Sequence, residues 1–245
     1  MIAKYLANPN GQHINAAKRV IKYLKGTRDY GITFSTTANA QIEAFIKFPL
    51  NQPITALSDA NWGPQDASKP KPMTNEQLDL FKTRSVSGFV LWLNGPLHWV
   101  SKRQTVTARS TAKAEVYATD ECAKNVAYLK KIVVGFGLVS QLMPTKTTNS
   151  ACICSCICWT KSMTTKGLRH IQIRKNGVRE MVQRGEIDVK HIKGKINIAD
   201  LFTKEDKDVE HFLSVRDLLV QSRAVAINPN QKLINSGVTQ SGLGG

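Results

Sequence analysis

"RSVSGFVLWLNGPLHWVSKRQ" is the sequence of residues 84–104, and it decides the fold. The stretch begins with residues typical of a strand, and the alternate positions that share one face hold Val86, Gly88, Val90 and Trp92. Asn94-Gly95 follows, and this dipeptide is favoured in two-residue hairpin turns because both residues tolerate positive φ. PLHWV then returns as a second strand. The stretch therefore predicts a β-hairpin.

The segments on either side extend this hairpin into a sheet covered by a helix. ITALSDAN, at residues 54–61, is an apolar run that closes on polar residues, which predicts a strand. Residues 62–84 are polar and rich in proline, which predicts a loop. Residues 107–137 predict a long helix, with Ser110 or Thr111 as its N-cap.

The C-terminal half continues with helices and a strand. Residues 167–186 predict a helix weakened at Gly177, and residues 187–194 predict a strand. A last helical region is expected from about residue 196 to 221. Residues 145–160 fit a strand or a helix equally well. Strands mixed with helices in this order predict an α/β domain with a mixed sheet.

Four regions follow from these patterns. The α/β domain occupies residues 54–205. Residues 1–35 form a basic helical arm, because apolar residues recur at helical spacing in HINAAKRVIKYLKG. Residues 206–221 predict a C-terminal helix. Residues 222–245 have no apolar period and are expected to be disordered.

Composition favours a polyanionic partner. The 245 residues carry a formal charge of +16, and 42% of them are hydrophobic, enough to fill a core. A surface this basic suits nucleic acid first and an anionic membrane second. We expect no membrane association, because no apolar run reaches the length of about 20 residues that a span needs. Without a signal-peptide core, an intracellular chain with reduced thiols is expected.

Three carboxylates stand beside apolar sequence. Asp59 closes a strand in ALSDANW, Glu115 lies in AKAEVYA, and Asp200 follows INIA. A carboxylate next to core residues must be paired, protonated or bound to a metal. Converging carboxylates suit Mg²⁺. The structural alternatives are an N-cap for Asp200, an Asx turn for Asp59 and an exposed helix face for Glu115.

The order of several motifs resembles one known family. The chain is similar, over about residues 5–220, to the C-terminal part of copia-type retrotransposon Pol polyproteins, where the end of reverse transcriptase leads into ribonuclease H (RNase H). The motifs that carry the resemblance are YLANPNGQHINAAKRVIKYLKGTRDYGITFS, SDANW, the hairpin, ARSTAKAEVYA, TTKGLRHIQIRKNGVRE and IADLFTK.

The resemblance implies an RNase H-like fold, a five-stranded mixed sheet flanked by helices. It also implies hydrolysis of the RNA strand of an RNA–DNA hybrid, with two Mg²⁺ ions held by four carboxylates. Asp59, Glu115 and Asp200 match three of the four. The remaining aspartate should lie in TKTTNSAC, where Thr148 takes its place, or Thr147 if the motif is one residue longer. Cleavage is therefore expected to be impaired.

Cysteines at C-x-C-x-C-x-C spacing, from Cys152 to Cys158, follow that motif. They are either a soft-metal site or part of a damaged carboxylate motif. On a strand this spacing puts all four thiols on one face, which suits a metal poorly, and structural zinc sites usually use C-x₂₋₄-C pairs. We favour the damaged motif.

Basic and polar residues are candidates for binding nucleic acid through phosphates and 2′-hydroxyls. These candidates are Lys102, Arg103, Gln104, Thr107, Ser110, Arg169 and His170. The expected partners are an RNA–DNA hybrid or another nucleic acid, and the rest of the polyprotein. The expected location is the cytoplasm, in a virus-like particle, or the nucleus. The alternatives are a binding remnant without catalysis and a cysteine-rich metal binder.

Overall fold

The computed structural model describes residues 9–47, 54–61, 84–108, 110–137, 151–155, 169–204 and 208–223. At residues 36–39, 151–155 and 169–170 it describes the backbone alone. Helices within these ranges are α1 (Gly11–Gly26), α2 (Thr36–Ile46), α3 (Thr111–Gly135), α4 (Arg169–Gln183) and α5 (Val209–Leu219). The strands are β1 (Tyr30–Gly31), β2 (Thr55–Asn61), β3 (Val86–Trp92), β4 (Pro96–Arg103), β5 (Ala151–Ser155), β6 (Ile187–His191) and β7 (Gln221–Ser222).

The chain divides into two compact units, residues 34–218 and residues 1–33 together with 219–245. The larger unit contains a five-stranded sheet in the order β4-β3-β2-β5-β6. Its first three strands are antiparallel, and β2, β5 and β6 are parallel. This mixed sheet with its flanking helices is the predicted RNase H-like architecture, so the predicted fold class is confirmed.

The predicted hairpin forms β3 and β4. Asn94 and Gly95 turn the chain with φ values of 54° and 152°. Both values lie in the region that asparagine and glycine tolerate best, which explains their presence in the turn. The pairing runs from Val86 opposite Arg103 to Trp92 opposite Pro96, with one register shift between Leu91 and Trp92.

One hydrophobic cluster joins the sheet to α3 and α4. Burial of a side chain the size of Phe89 or Leu91 contributes roughly 1.5–3 kcal/mol, so this cluster supplies much of the stability of the larger unit. Its buried members are Ile54, Ala56, Phe89, Leu91, Cys122, Ala123, Val126, Val133, Val178 and Ile187.

A polar network ties α4 to α3. Arg174 donates to Asp120 Oδ2 at 2.5 Å, and its guanidinium lies 4.6 Å from the centre of the Tyr117 ring. Lys124 also donates to Asp120 Oδ2, at 2.8 Å. Asp120 is only 5% exposed, so these two cations supply the partners that a buried carboxylate requires.

Three helical segments differ from the sequence predictions. Helix α2, where no element was expected, buries Ile42 and Ile46 completely. Helix α4 continues through Gly177 without a break. The predicted last helical region begins instead with two 3-10 helices, Gly194–Ile196 and Ile198–Phe202, and becomes α-helical only at Val209.

Asn197 explains the interruption between these 3-10 helices. Its side chain accepts from the Ala199 N–H at 3.1 Å and donates to the Ser58 carbonyl at 2.9 Å. Asn197 is thus both the N-cap of the second 3-10 helix and its tie to the central strand β2. A tertiary contact of this kind overrides the local helical pattern.

The smaller unit contains α1 and a two-stranded ribbon. Helix α1, predicted from its spacing, begins after Asn10, whose side chain accepts from the His13 N–H at 3.1 Å. β1 and β7 pair antiparallel, and the Ser222 hydroxyl donates to Asp29 at 2.6 Å. Ser222, the first residue of the predicted tail, therefore belongs to a strand. The rest of that tail, from residue 224, and the predicted loop at 62–83 lie outside the described residues.

No helix in the described ranges is long and apolar enough to cross a membrane.

Candidate carboxylate site

The candidate site lies where the central strand meets the second 3-10 helix. Asp59 is the fifth residue of β2 and is 1% exposed. Asp200 lies in the 3-10 helix Ile198–Phe202, and its side chain is 22% exposed. Residues far apart in the chain are thus brought together, as the sequence predicts for two of the three carboxylates.

One ammonium group joins the two aspartates. Lys204 Nζ lies 2.9 Å from Asp200 Oδ1 and 3.4 Å from Asp59 Oδ2. The Thr203 hydroxyl also donates to Asp59 Oδ2. Lys204 and Thr203 were not among the predicted site residues. The spacing of Lys204 four residues after Asp200, which is typical of helical ion pairs, is the sequence signal that could have identified it.

Side chains of two strands fasten the segment around this 3-10 helix to the sheet, and a glycine of a third strand makes room for it. Ser101 donates to the Phe202 carbonyl at 2.5 Å, and Asn61 donates to the Thr203 carbonyl at 3.3 Å. Gly88 provides the space, because a Cβ there would come within 2.6 Å of Thr203 Cγ2 and 2.7 Å of Phe202 Cβ. The segment that carries Asp200 and Lys204 is therefore held by packing and by hydrogen bonds.

Glu115 faces the same region from α3. Ser110 caps this helix by accepting from the Lys113 N–H at 3.3 Å, which fixes the first turns. Glu115 is half-buried as a residue, but its Oε2 is buried and has no hydrogen-bond partner among the described residues. Burial raises the pKa of Glu115 to about 8, and the charge of Asp59 adds to the rise. Glu115 is therefore mostly protonated at neutral pH.

Asp200 and Lys204 influence each other's protonation. Burial raises the pKa of Asp200 to about 6, the charge of Asp59 adds to the rise, and the hydrogen bond from Lys204 opposes it. Burial alone would lower the pKa of Lys204, but the two aspartates outweigh burial and raise that pKa above its usual value. Lys204 is therefore a cation at neutral pH.

The fit of these residues to a metal ion is incomplete. The unpaired Glu115 Oε2 and the two aspartates are oxygen donors of the kind that Mg²⁺ prefers. However, the Lys204 ammonium already bonds to both aspartates. Among the described residues, no three His, Cys, Asp or Glu side chains are placed so that they could hold a metal. The described arrangement does not fit a bound metal, and the metal role of these carboxylates stays a prediction.

The predicted position of the missing third carboxylate, Thr148 or Thr147, lies outside the described residues. β5 runs parallel to β2 with Thr55 opposite Cys152 and Ser58 opposite Ser155. β5 therefore reaches the level of Asp59 at its C-terminal end, whereas Thr148 precedes its first residue. Since residues 122–179 contain no Asp or Glu, no carboxylate from this segment completes the site in either alignment.

The predicted nucleic-acid contacts have different surroundings. Lys102 is half-exposed and forms an ion pair with Glu121. Thr107 is exposed and Arg103 is partly exposed. Ser110 is the N-cap of α3, and the side chains of Arg169 and His170 lie outside the description.

Gln104 requires a correction. It is 6% exposed, and its amide donates to Ser87 Oγ and to the Ala114 carbonyl, each at 2.9 Å. These bonds join β3 to α3. The amide is therefore a structural tie and not a surface contact for nucleic acid.

Comparisons with known proteins agree with the predicted resemblance. The chain is similar to retrovirus-related Pol polyproteins of plant transposons. It is 25% identical over 207 residues to the Pol polyprotein from transposon RE2 of Arabidopsis thaliana, a match that covers 83% of this chain and 12% of the relative. The chain thus spans about an eighth of that relative's length. It is also 27% identical over 130 residues to the secreted RxLR effector protein 161 of Plasmopara viticola, covering 53% of this chain and 73% of that protein.

Among solved structures, the complex of LC11-RNase H1 with an RNA/DNA hybrid aligns with 61% of this chain and 93% of that chain. The TM-score is 0.37 and the identity is 10%. No protein-family model matches the chain.

Proposed function

From the relationship of this chain to retrovirus-related Pol polyproteins, we propose that it is an RNase H-like domain that binds an RNA–DNA hybrid and cleaves the RNA strand weakly or not at all. The observation that carries this proposal is the buried Asp59, placed beside Asp200 in a five-stranded mixed sheet. A buried aspartate beside a second, partly exposed one is costly unless their charge is neutralised, and strongly perturbed carboxylates of this kind cluster at functional sites.

Binding is supported by charge. The chain carries 34 Lys and Arg against 18 Asp and Glu. Contacts to phosphates through such residues release counterions and do not depend on base sequence. The described candidates that remain exposed or partly exposed are Lys102, Arg103, Thr107 and Ser110. The first three follow or end β4, the strand that also carries Ser101 beside the site. Arg169 and His170 remain candidates from the motif alone.

Weak cleavage is supported by the shortage of carboxylate charge. The resemblance implies four carboxylates around two Mg²⁺ ions, and each lost charge weakens the hold on a dication. The Lys204 ammonium offsets part of the negative charge of the two aspartates, and the segment from 122 to 179 contains no Asp or Glu. Asp59, Glu115 and Asp200 would be the residues that hold Mg²⁺ if it binds.

Salt-dependent binding tests the nucleic-acid part of this proposal. The full chain is titrated into a fluorescent RNA–DNA hybrid, and in parallel into single-stranded RNA and double-stranded DNA of the same length, at several salt concentrations. We expect the logarithm of the binding constant to fall linearly with the logarithm of salt, and the hybrid to bind more tightly than the DNA duplex. No binding of the hybrid at low salt contradicts the proposal.

A non-catalytic nucleic-acid-binding remnant is the second candidate. Lys204 favours it, because an ammonium bonded to both aspartates blocks the oxygens that a catalytic ion would need. In either case we propose that the domain acts inside the cell, in the cytoplasm or nucleus, with the remainder of a Pol polyprotein as its partner.

A further inference from the structure

The ion pair between Lys204 and the two aspartates has the features of a fixed structural element. Its oxygens belong to a carboxylate that is 1% exposed and to another that is 22% exposed, and the lysine side chain itself is 33% exposed. The Lys204 N–H also donates to the Asp200 carbonyl at 2.9 Å, which holds the lysine backbone on the turn that carries Asp200.

The residue before Lys204 holds the backbone of this segment in place beside the aspartates. Thr203 is 8% exposed, its hydroxyl bonds to Asp59, and its methyl group rests over Gly88. Because Thr203 is anchored in this way, the Cα of Lys204 is held close to the two aspartates. Removal of one member of a partly buried charge pair leaves an uncompensated charge, which is strongly unfavourable.

An ordinary pair elsewhere in the same unit provides a contrast. Lys124 and Asp120 have the same spacing of four residues and a similar distance of 2.8 Å, but the Lys124 side chain is 65% exposed. Asp120 also has Arg174 as a second cation. Loss of Lys124 therefore leaves Asp120 paired. For Asp59, by contrast, Lys204 is the cation that the described ion pairs provide.

From this arrangement we infer that Lys204 is a built-in counter-cation, which takes the place of a divalent ion between Asp59 and Asp200. The Lys204 ammonium, a point charge of +1 with three donors, bonds to Asp200 Oδ1 at 2.9 Å and lies 3.5 Å and 3.4 Å from the two carboxylate oxygens of Asp59. It therefore meets the main electrostatic requirement of the pair without a metal. Folding of the site is then independent of divalent cations, and a divalent ion that binds there must first displace the ammonium.

The inference deepens the proposed function and rests on it only for the location of the site. It adds control of metal access by a residue of the chain itself. It predicts a protein that is stable in EDTA and responds little to Mg²⁺ or Mn²⁺. When the lysine is replaced by a neutral residue of similar length, the aspartates lack this cation. The stability of the protein should then depend on divalent ions.

Thermal unfolding of the full chain tests the inference with Lys204→Met and the matched control Lys124→Met. In EDTA, we expect Lys204→Met to lower the melting temperature and Lys124→Met to leave it nearly unchanged. Titration with Mn²⁺ or Mg²⁺ should then raise the melting temperature of Lys204→Met. Half of this rise in melting temperature should be reached at a roughly tenfold lower ion concentration in Lys204→Met than in the parent. A tenfold change corresponds to about 1.4 kcal/mol of binding free energy.

A second pair of variants keeps the test valid if Lys204→Met folds poorly. Lys204→Arg retains a cation and should keep the weak divalent response of the parent. Lys204→Met/Asp200→Asn removes one negative charge together with the lysine, so it should regain stability in EDTA and lose the divalent response.

Two results overturn the inference. One is an equal divalent response in the parent and in Lys204→Met. The other is no divalent response in Lys204→Met at any concentration. Binding of the hybrid by the same proteins is measured separately, so failure of the lysine to act as counter-cation is distinguishable from failure of the domain to bind nucleic acid.

Discussion

Gly88 lies directly opposite Asp59 in the register of β2 and β3, and the absence of a Cβ at Gly88 gives the segment that neutralises Asp59 its place. Strand β2 thus supplies the Asp59 carboxylate, and the adjacent strand β3 supplies the space at Gly88. Thr203 and Phe202 fill that space, and Lys204 follows them. The candidate site therefore depends on a glycine that bears no chemistry of its own.

Substitution of this glycine should disturb both stability and the site. Gly88→Ala places a methyl group 2.6 Å from Thr203 Cγ2, too close for either backbone to remain in place. We expect a loss of about 1–3 kcal/mol in the free energy of unfolding, as for other overpacked positions. Urea denaturation measures it.

Gly177→Ala is the matched control for that experiment, because the residue is inside α4 and the added Cβ would meet nothing within 4 Å from other parts of the described chain. It should stabilise the protein by about 0.5–1 kcal/mol. Equal effects of the two substitutions would contradict the close packing above Gly88.

Glu115 should make stability depend on pH. Its pKa is about 8 in the folded protein and 4.5 as its ordinary value, so the folded state binds the proton more tightly. The resulting contribution to stability is fully present below pH 4.5 and is lost as pH rises through 8. Glu115→Gln keeps the neutral shape, so it should remove this part of the pH dependence, which we expect to be on the order of a few kcal/mol.

Denaturation of the parent and of Glu115→Gln at several values between pH 5 and pH 9 measures the difference, a range chosen to bracket the folded pKa of about 8. The two curves should converge at low pH, and the variant should be the more stable protein at high pH. Parallel stability curves over the whole pH range would show that folding does not raise the pKa of Glu115.

Gln104 should behave as a structural residue. Gln104→Ala leaves Ser87 and the Ala114 carbonyl without their donor, and the loss of buried hydrogen bonds of this kind costs about 1–3 kcal/mol. The salt dependence of hybrid binding should stay unchanged, measured at a temperature where the variant is folded. Thr107→Ala, at an exposed position, should leave stability within about 0.5 kcal/mol of the parent. If Gln104→Ala kept full stability but changed the salt dependence of hybrid binding, Gln104 would be a nucleic-acid contact and not a structural residue.

Lys102 is expected to contact phosphate. Lys102→Ala should weaken hybrid binding to the same extent for all sequences and reduce the slope of log binding constant against log salt by about 1. Glu121, which pairs with Lys102, offers the opposite test, since Glu121→Gln releases the ammonium and should strengthen binding at low salt. Unchanged binding in both variants would place the nucleic-acid surface elsewhere.

Local signals explain which parts of the fold were predictable. The hairpin was predicted because Asn94-Gly95 and the alternating strand depend on neighbouring residues alone. Helix α3 was predicted because Ser110 caps it as short-range rules require. The 3-10 helices were missed because Asn197 bonds to Ser58 in another element, a contact that local sequence does not reveal.

The candidate site was predictable only in part for the same reason. Apolar flanks identified Asp59, Glu115 and Asp200, because burial of a carboxylate can be read from its neighbours. Lys204 was missed because its second partner is Asp59, 145 residues earlier in the chain. Gln104 was predicted to contact nucleic acid because it is a polar residue near the start of α3, whereas its side chain connects two elements.

Cleavage of a labelled RNA–DNA hybrid by the full chain in Mg²⁺, at a protein concentration that saturates binding, tests the central claim most directly. Asp59→Asn is measured beside it. The proposed function predicts that the hybrid is bound and that its RNA strand remains largely intact with both proteins. Rapid cleavage by the parent that Asp59→Asn abolishes would contradict the claim, because the site would then work as a full nuclease without a fourth carboxylate.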